Sequence, residues 1–294
     1  MLCIAGTVPA EDFPLLEGIV EMNGDGLRMG EIIIPINRGT PALLAAAAMA
    51  ARTLGRPAPF ACLVGDTGRG SGSARLYEKM VNLLPENRFQ TITFHYLQPM
   101  VDWHGRIQEA IAALSPRPFL IADAGFMYVA KMSGMAARYD LFTPDVGELA
   151  FLADEQAPHP FYTRGFILHE DNKVPDLIAR AYQNNNAARR LLVKGTTDYF
   201  ADKTGILETV DSPSEETMEA IGGTGDTLTG IVSALIDAGM AMREAAVVAM
   251  RANRLAGRLA QPTPATQIGE IIRHIPRALQ EALAGNDVRI EERT

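Results

Sequence analysis

Short apolar runs alternate with helical patterns along most of this 294-residue chain. Strands that are apolar along their whole length and separated by helices are typical of a parallel sheet covered on both faces. The sequence therefore predicts an α/β protein with a mostly parallel central sheet. Strands are predicted at 31–36, 60–64, 92–96, 119–122, 141–143 and 191–193, and helices at 42–54, 75–84, 105–114, 126–137 and 175–183.

The pattern changes after Lys194. Two short apolar segments, 198–201 and 206–210, flank a turn-forming sequence and predict an antiparallel hairpin. Helices are predicted beyond it at 228–238, 243–260 and 268–283. No linker rich in Pro, Gly or Ser divides the chain, so we expect residues 1–294 to form a single domain.

The segment Gly222-Gly223-Thr224-Gly225-Asp226 precedes the apolar run 228–236. Glycines allow backbone N–H groups to approach an anion closely, and a helix that begins there directs its positive end at the same point. Asp226 would lie in the first helical turn, where a carboxylate could accept the proton of an attacking hydroxyl during phosphoryl transfer. Asp is also a common residue at ordinary helix starts, so capping is the alternative.

Polar residues follow several of the predicted strands, where open α/β sheets bind their ligands. Each segment alone also fits a strand-to-helix turn, but their shared location predicts a common cleft. The segments are Asn37 to Thr40, Gly65 to Gly68, Asp123 to Gly125, Thr143 to Asp145 and Lys194 to Thr196.

The charge of the chain limits the kinds of partner that it can bind. The net charge of −8 argues against nucleic-acid and anionic-membrane binding, so an anionic substrate must be held by local positive groups.

Two cysteines, Cys3 and Cys62, form no disulfide framework, which predicts a reducing compartment. No apolar run is long enough to cross a bilayer, and we expect a cytoplasmic protein. The five histidines lack the spacing of a metal site, and no role is predicted for them.

Short segments of the second half match a known pattern in order and spacing. They resemble the ribokinase-like superfamily and, within it, the ADP/ATP-dependent NAD(P)H-hydrate dehydratases. A weaker match lies at 39–46. The matching segments are TPDVGEL at 143–149, LVKG at 192–195, IGGTGDTLTGI at 221–231, RANRLAG at 251–257, TQI at 266–268 and IPRAL at 275–279.

The resemblance implies a three-layer ribokinase-like fold. It also implies an enzyme that uses ATP or ADP with Mg²⁺, acts on a small molecule and self-associates. It implies that Asp226 is the catalytic base and that Glu148 holds the metal, for which Mg²⁺ favours carboxylates. The implied nucleotide-binding residues are Gly222, Gly223, Thr224, Gly225, Lys194, Gly195 and Thr196, and the implied substrate-binding residues are Asn37, Gly39, Thr40, Asp123 and Asp145.

Some positions depart from the dehydratase pattern. Asp145 and Val146 stand where the dehydratases carry His and Pro, and the region 98–102 lacks their Gly-Pro-Gly-Leu-Gly loop. The segment 65–70, which includes Asp66, is similar to an acceptor loop of sugar kinases. A dehydratase-type lyase is the favoured interpretation, a small-molecule kinase is the alternative, and a non-catalytic nucleotide-binding protein is a third.

Overall fold

The computed structural model describes residues 1–154 and 173–285, so His159 and His169 lie outside the described residues. Twelve strands are found in this part of the chain, and nine of them form one sheet. The strands are β1 (Leu2–Val8), β2 (Leu16–Ile19), β3 (Glu21–Asn23), β4 (Gly26–Met29), β5 (Ile32–Pro35), β6 (Phe60–Gly65), β7 (Thr91–His95), β8 (Phe119–Asp123), β9 (Leu141–Phe142), β10 (Leu191–Val193), β11 (Asp198–Asp202) and β12 (Gly205–Val210).

The order in the large sheet is β12-β11-β10-β9-β8-β7-β1-β6-β2. The six strands from β10 to β6 in that order are parallel to their neighbours. β2 pairs antiparallel with β6 at one edge, and β11 and β12 form an antiparallel hairpin at the other. The predicted mostly parallel sheet with a C-terminal hairpin is therefore confirmed.

The sequence prediction missed the four strands β1 to β4 and did not foresee the sheet to which β5 belongs. The central strand β1 was missed because Cys3, Ala5 and Gly6 give it weak strand propensity. Burial of all seven β1 residues between β6 and β7 determines the strand. The predicted strand 31–36 is observed as β5, but it lies in a separate three-stranded antiparallel sheet with β3 and β4, where short local hairpins pair neighbouring strands.

The described helices cover both faces of the large sheet. The predicted helix 268–283 is divided in two, because Pro276 starts a new helix instead of continuing the previous one. α5 was not predicted. The helices are α1 (Thr40–Thr53), α2 (Ser71–Leu83), α3 (Val101–Ala112), α4 (Gly125–Met132), α5 (Val146–Ala153), α6 (Val174–Gln183), α7 (Thr224–Asp237), α8 (Met242–Ala260), α9 (Ile268–Ile272) and α10 (Ile275–Ala284).

Hydrophobic side chains form one cluster on each face of the sheet. α1, α7, α8 and α10 contribute to one cluster, and α2 to α6 contribute to the other. Cys3 and Cys62 are free and buried in the second cluster. None of the described helices combines the length and apolar character that a bilayer crossing requires.

Helices α1 and α7 approach closely at Gly230. A Cβ atom added to Gly230 would lie 2.2 Å from the carbonyl oxygen of Leu43, so the two backbones leave no room for a side chain. We expect Gly230→Ala to lower the free energy of unfolding by about 1–3 kcal/mol or more, as overpacking does. Gly105→Ala in α3 is the matched control, because its Cβ would meet nothing within 4 Å.

Urea denaturation measures both variants. Gly105→Ala should raise the free energy of unfolding by about 0.5–1 kcal/mol, since Ala favours helix more than Gly does. Equal effects of the two substitutions would contradict the close approach of α1 and α7.

Candidate active site

The glycine segment 222–225 forms the start of α7, as predicted. Gly223 adopts φ 106°, a left-handed conformation that favours glycine, and no side chain of the described residues caps the helix. The Thr224 hydroxyl instead donates to the carbonyls of Met218 and Ile221, which closes the turn before the helix. The first N–H groups of α7 therefore remain available to an anion.

Asp226 lies in the first turn of α7, next to these N–H groups. Its Oδ2 accepts a 2.7 Å hydrogen bond from the Gly39 N–H, and its Oδ1 lies 3.1 Å from Nε2 of His95. Gly39 adopts φ 69° at the start of α1, where a side chain would strain the backbone. The side chain of Asp226 is 13% exposed, so part of it remains accessible from outside.

His95 ends β7 and is completely buried. Its Nδ1 lies 2.9 Å from Oγ1 of Thr40, which is also buried. The Thr40 side chain was predicted to bind substrate, but the structure places its hydroxyl against His95. Gly6 provides the space, because a Cβ there would lie 2.6 Å from Oγ1 of Thr40.

A second charged pair lies beside the first. Nζ of Lys194 donates to both carboxylate oxygens of Asp123, at 2.8 and 2.9 Å, and the Thr229 hydroxyl donates to Oδ2 at 2.6 Å. Asp123 is buried and Lys194 is nearly so. A Cβ on Gly225 would lie 3.6 Å from Nζ of Lys194, so the ammonium group is close to the start of α7.

The surroundings of Asp226 favour its charged form. Burial alone would raise the pKa of this carboxyl, but the hydrogen bond from His95, the positive charge of Lys194 and the hydrogen bond from Gly39 outweigh burial. The pKa of Asp226 therefore lies below its ordinary value. A carboxylate that stays ionised can accept a proton at neutral pH.

Asp145 and Glu148 form a capping box at the start of α5. Each side chain accepts a hydrogen bond from the other's backbone N–H, at 2.7 and 2.9 Å. Burial and the negative charge of Asp145 raise the pKa of Glu148 well above its ordinary value. Each carboxylate uses one oxygen in the box, and such a pair of hard oxygen donors fits a cation such as Mg²⁺.

The predicted loop Lys194 to Thr196 is held by a buried arginine. Nε of Arg254 donates to Asp198 at 2.7 Å, and its Nη2 donates to the carbonyls of Gly195 and Thr196. Asp198 in turn accepts from the Gly195 N–H. Arg254 lies in α8, in a segment that the resemblance includes, and it fixes the loop beside Lys194.

Arg38 and Arg69, the basic residues of the segments 37–40 and 65–70, have different surroundings in the structure. Arg38 is exposed, and a Cβ on Gly222 would lie 3.4 Å from its Cδ, so Arg38 borders the glycine segment. Asn37 beside it is also exposed. Arg69 instead pairs with Glu11. Asp66 directs both oxygens at its own loop and α2, accepting from Gly68, Gly70 and Ser73.

His95 is the functional candidate that the sequence reasoning missed. Its Nε2 and one carboxylate oxygen each from Asp123 and Asp226 lie within 4.8 Å of one another. Lys194 already supplies positive charge to Asp123, so we assign no metal here. The histidines show no metal-ligand spacing in the sequence, so that criterion gives no indication of His95. Its position at a strand end, the criterion that selected Asp123 and Lys194, would have found it.

A separate cavity of about 640 Å³ lies at the amino-terminal ends of the sheet strands, on the side away from Asp226. Its lining includes Leu54, Thr91, Arg117 and Asp237. These residues lie at the amino-terminal ends of strands and the carboxyl ends of helices, so the cavity is no part of the candidate site.

Known proteins resemble this chain over the residues that carry the candidate site. A carbohydrate-kinase family model described as NAD(P)H-hydrate dehydratase matches residues 98–277, which include Asp123, Lys194 and Asp226. An uncharacterized protein of Methanocaldococcus jannaschii is 44% identical over 220 residues, covering 74% of this chain and 90% of the relative. The resemblance drawn from the sequence motifs is confirmed.

Solved structures share the fold at low sequence identity. A ribokinase-like superfamily protein of Enterococcus faecalis has a TM-score of 0.58 at 14% identity, covering 96% of this chain and 87% of its own. The ADP/ATP-dependent NAD(P)H-hydrate dehydratase of Bacillus subtilis, co-crystallized with ATP/Mg²⁺, has a TM-score of 0.55 at 16% identity, covering 96% and 89%. The pyridoxal kinase of Staphylococcus aureus, in complex with AMP-PCP and pyridoxal, has 0.54 at 14%, covering 86% of each chain.

Proposed function

The chain belongs to the carbohydrate-kinase family described as NAD(P)H-hydrate dehydratase, and on that premise we propose a phosphoryl-transfer reaction. An adenine nucleotide, ATP or ADP, phosphorylates a hydroxyl of hydrated NADH or NADPH, and loss of phosphate then regenerates the coenzyme. The observation that carries the proposal is the charged Asp226 beside the uncapped start of α7. These are the base and the anion-binding amides that phosphoryl transfer needs.

In the proposed reaction, Asp226 accepts the proton of the acceptor hydroxyl. The acceptor oxygen forms a bond to the terminal phosphorus, and the bond to the remaining nucleotide phosphate breaks. The N–H groups at the start of α7, at Gly223, Thr224 and Gly225, bind the charge on the transferred group. Elimination then breaks the carbon–oxygen bond, releases phosphate and loses a proton from the adjacent carbon.

The remaining candidate residues receive supporting roles in this proposal. Lys194 and Arg38 border the glycine segment and would attract the nucleotide phosphates. Asp145 and Glu148 would hold Mg²⁺, which neutralises phosphate charge when bound. Gly222, Gly195 and Thr196 would line the nucleotide site, and Asn37 and Gly39 the acceptor side, while the buried Thr40 and Asp123 would support that side from beneath. A single domain, self-association, a cytoplasmic location and the absence of nucleic-acid partners stay predictions.

The second candidate is a small-molecule kinase that stops at the phosphoester. Asp145, in place of the dehydratase histidine, favours it because the acceptor side of the site is altered. Asp66 speaks against a sugar-kinase acceptor loop, since its carboxylate is already bonded to Gly68, Gly70 and Ser73. We therefore propose the lyase first.

The test supplies ATP or ADP and Mg²⁺ with hydrated NADH. We expect coenzyme recovery and phosphate release in equal amounts, both dependent on nucleotide. The coenzyme is followed by its absorbance and the phosphate by a colorimetric assay. Nucleotide consumption with no coenzyme recovery, and a stable phosphorylated sugar or alcohol, would favour the kinase and contradict the lyase.

A further inference from the structure

His95 connects the candidate base to the interior of the protein. It lies at the end of β7, between Asp226 from α7 and Thr40 from α1. No part of its side chain is exposed, so it cannot contact a substrate in the cleft. Any effect of His95 on the reaction must therefore pass through Asp226 or through the packing of these elements.

The proton positions follow from the partners of the ring. A carboxylate oxygen only accepts hydrogen bonds, so Nε2 must carry the proton that points at Asp226. In the neutral ring, Nδ1 is then an acceptor, and the Thr40 hydroxyl is the donor to it. The carboxylate thus sets the tautomer, and the Thr40 hydroxyl satisfies the ring nitrogen that carries no proton.

We propose that His95 is a positioning residue that orients Asp226 through a hydrogen bond from its Nε2, with the Thr40 hydroxyl holding the ring at Nδ1. The Gly39 N–H binds the other carboxylate oxygen, so two donors from two elements fix the plane of the carboxylate. The Asp226 side chain is 13% exposed, so part of it remains accessible to an acceptor. This proposal deepens the proposed function and rests on it.

Other charged groups also act on Asp226. Lys194 on the loop after β10 favours its ionised form, while Asp123 at the end of β8 and Glu148 in α5 add negative charge to the same region. The Tyr96 ring lies edge-on to the His95 ring, with centroids 4.3 Å apart. Partial burial and the negative charges of Asp226, Glu148 and Asp123 raise the pKa of its hydroxyl. These groups act on Asp226 through their charges, whereas His95 forms a hydrogen bond with its carboxylate.

The direct test compares His95→Leu, which removes the donor, with His95→Gln, whose amide N–H can replace it. The carboxyl resonance of Asp226 is followed by carbon NMR in aspartate-labelled protein and is identified by its loss in Asp226→Asn. We expect His95→Leu to raise the pKa of Asp226 by about one unit, because a hydrogen bond to the charged form is lost. His95→Gln should restore most of the difference.

The reaction provides the second measurement. In His95→Leu, kcat should fall by about 10- to 100-fold through misplacement of the base, while the KM for nucleotide stays within about twofold. The acidic limb of kcat/KM should move to higher pH with the pKa of Asp226. Thr93→Val is the matched control, since it removes a buried hydroxyl from the same strand that bonds Ser233 instead. It should leave the acidic limb in place.

Thr40→Val is the milder variant if His95→Leu does not fold. It should move both the titration and the acidic limb in the same direction as His95→Leu, by a smaller amount. An Asp226 titration unchanged in His95→Leu and Thr40→Val would overturn the proposal, as would equal effects of His95→Leu and Thr93→Val. Wild-type protein without turnover would refute the proposed function alone, because the NMR titration still decides whether His95 controls Asp226.

Discussion

Replacing Asp226 by Asn is expected to reduce kcat by about 10²- to 10⁴-fold, the usual contribution of a general base. Asn has the shape of Asp but cannot accept the proton of the acceptor hydroxyl. Its carbonyl oxygen can still accept the Gly39 N–H, and its amide can donate to His95 in the other tautomer. We therefore expect the fold and nucleotide affinity to be retained, the first checked by circular dichroism and the second by calorimetry.

Asp237→Asn is the matched control for this substitution. Asp237 is an acidic residue at the other end of the same helix, α7, and lines the cavity at the amino-terminal ends of the strands. Its replacement should leave turnover within about twofold of the wild type, as expected for a change outside the site. Asp226→Asn with wild-type turnover would contradict catalysis by Asp226, and a wild-type protein that binds nucleotide but never turns over would favour the non-catalytic alternative.

The sequence predicts the two features that local chemistry determines. The start of α7 follows from Gly223, which alone accepts the observed left-handed φ, and from the apolar run after it. Asp123 and Lys194 each follow or end a parallel strand, and the carboxyl ends of parallel strands lie on the same side of the sheet. The sequence therefore places these two residues close together.

Other features depend on partners distant in the chain. β1 becomes a central strand only because β6 and β7 cover it, and its small residues give no local signal. His95 becomes part of the site because α7 brings Asp226 to it across 131 residues and α1 brings Thr40 across 55. Asp66 shows the converse, since its own loop binds both oxygens of a carboxylate that sequence similarity suggested for substrate.

The buried ion pair of Lys194 and Asp123 is expected to make a large contribution to the free energy of unfolding. Lys194→Met removes the cation and leaves a buried carboxylate with the Thr229 hydroxyl and its neighbouring N–H as donors. Loss of one partner of a buried pair is expected to lower the free energy of unfolding by about 3–5 kcal/mol. Asp123→Asn combined with Lys194→Met removes both charges, and we expect it to recover most of that loss, as measured by urea denaturation.

Nucleotide affinity distinguishes a structural role of Lys194 from its proposed role in binding the nucleotide phosphates. The double variant should be stable yet bind nucleotide more weakly than wild type, because the positive charge beside Gly225 is absent. Lys79→Met is the matched control, since Lys79 forms an ion pair with Glu17 at the surface and such pairs contribute about 0–1 kcal/mol. If Lys194→Met costs no more than Lys79→Met, the pair does not stabilise the fold. If the double variant binds nucleotide normally, Lys194 serves the fold and not the phosphates.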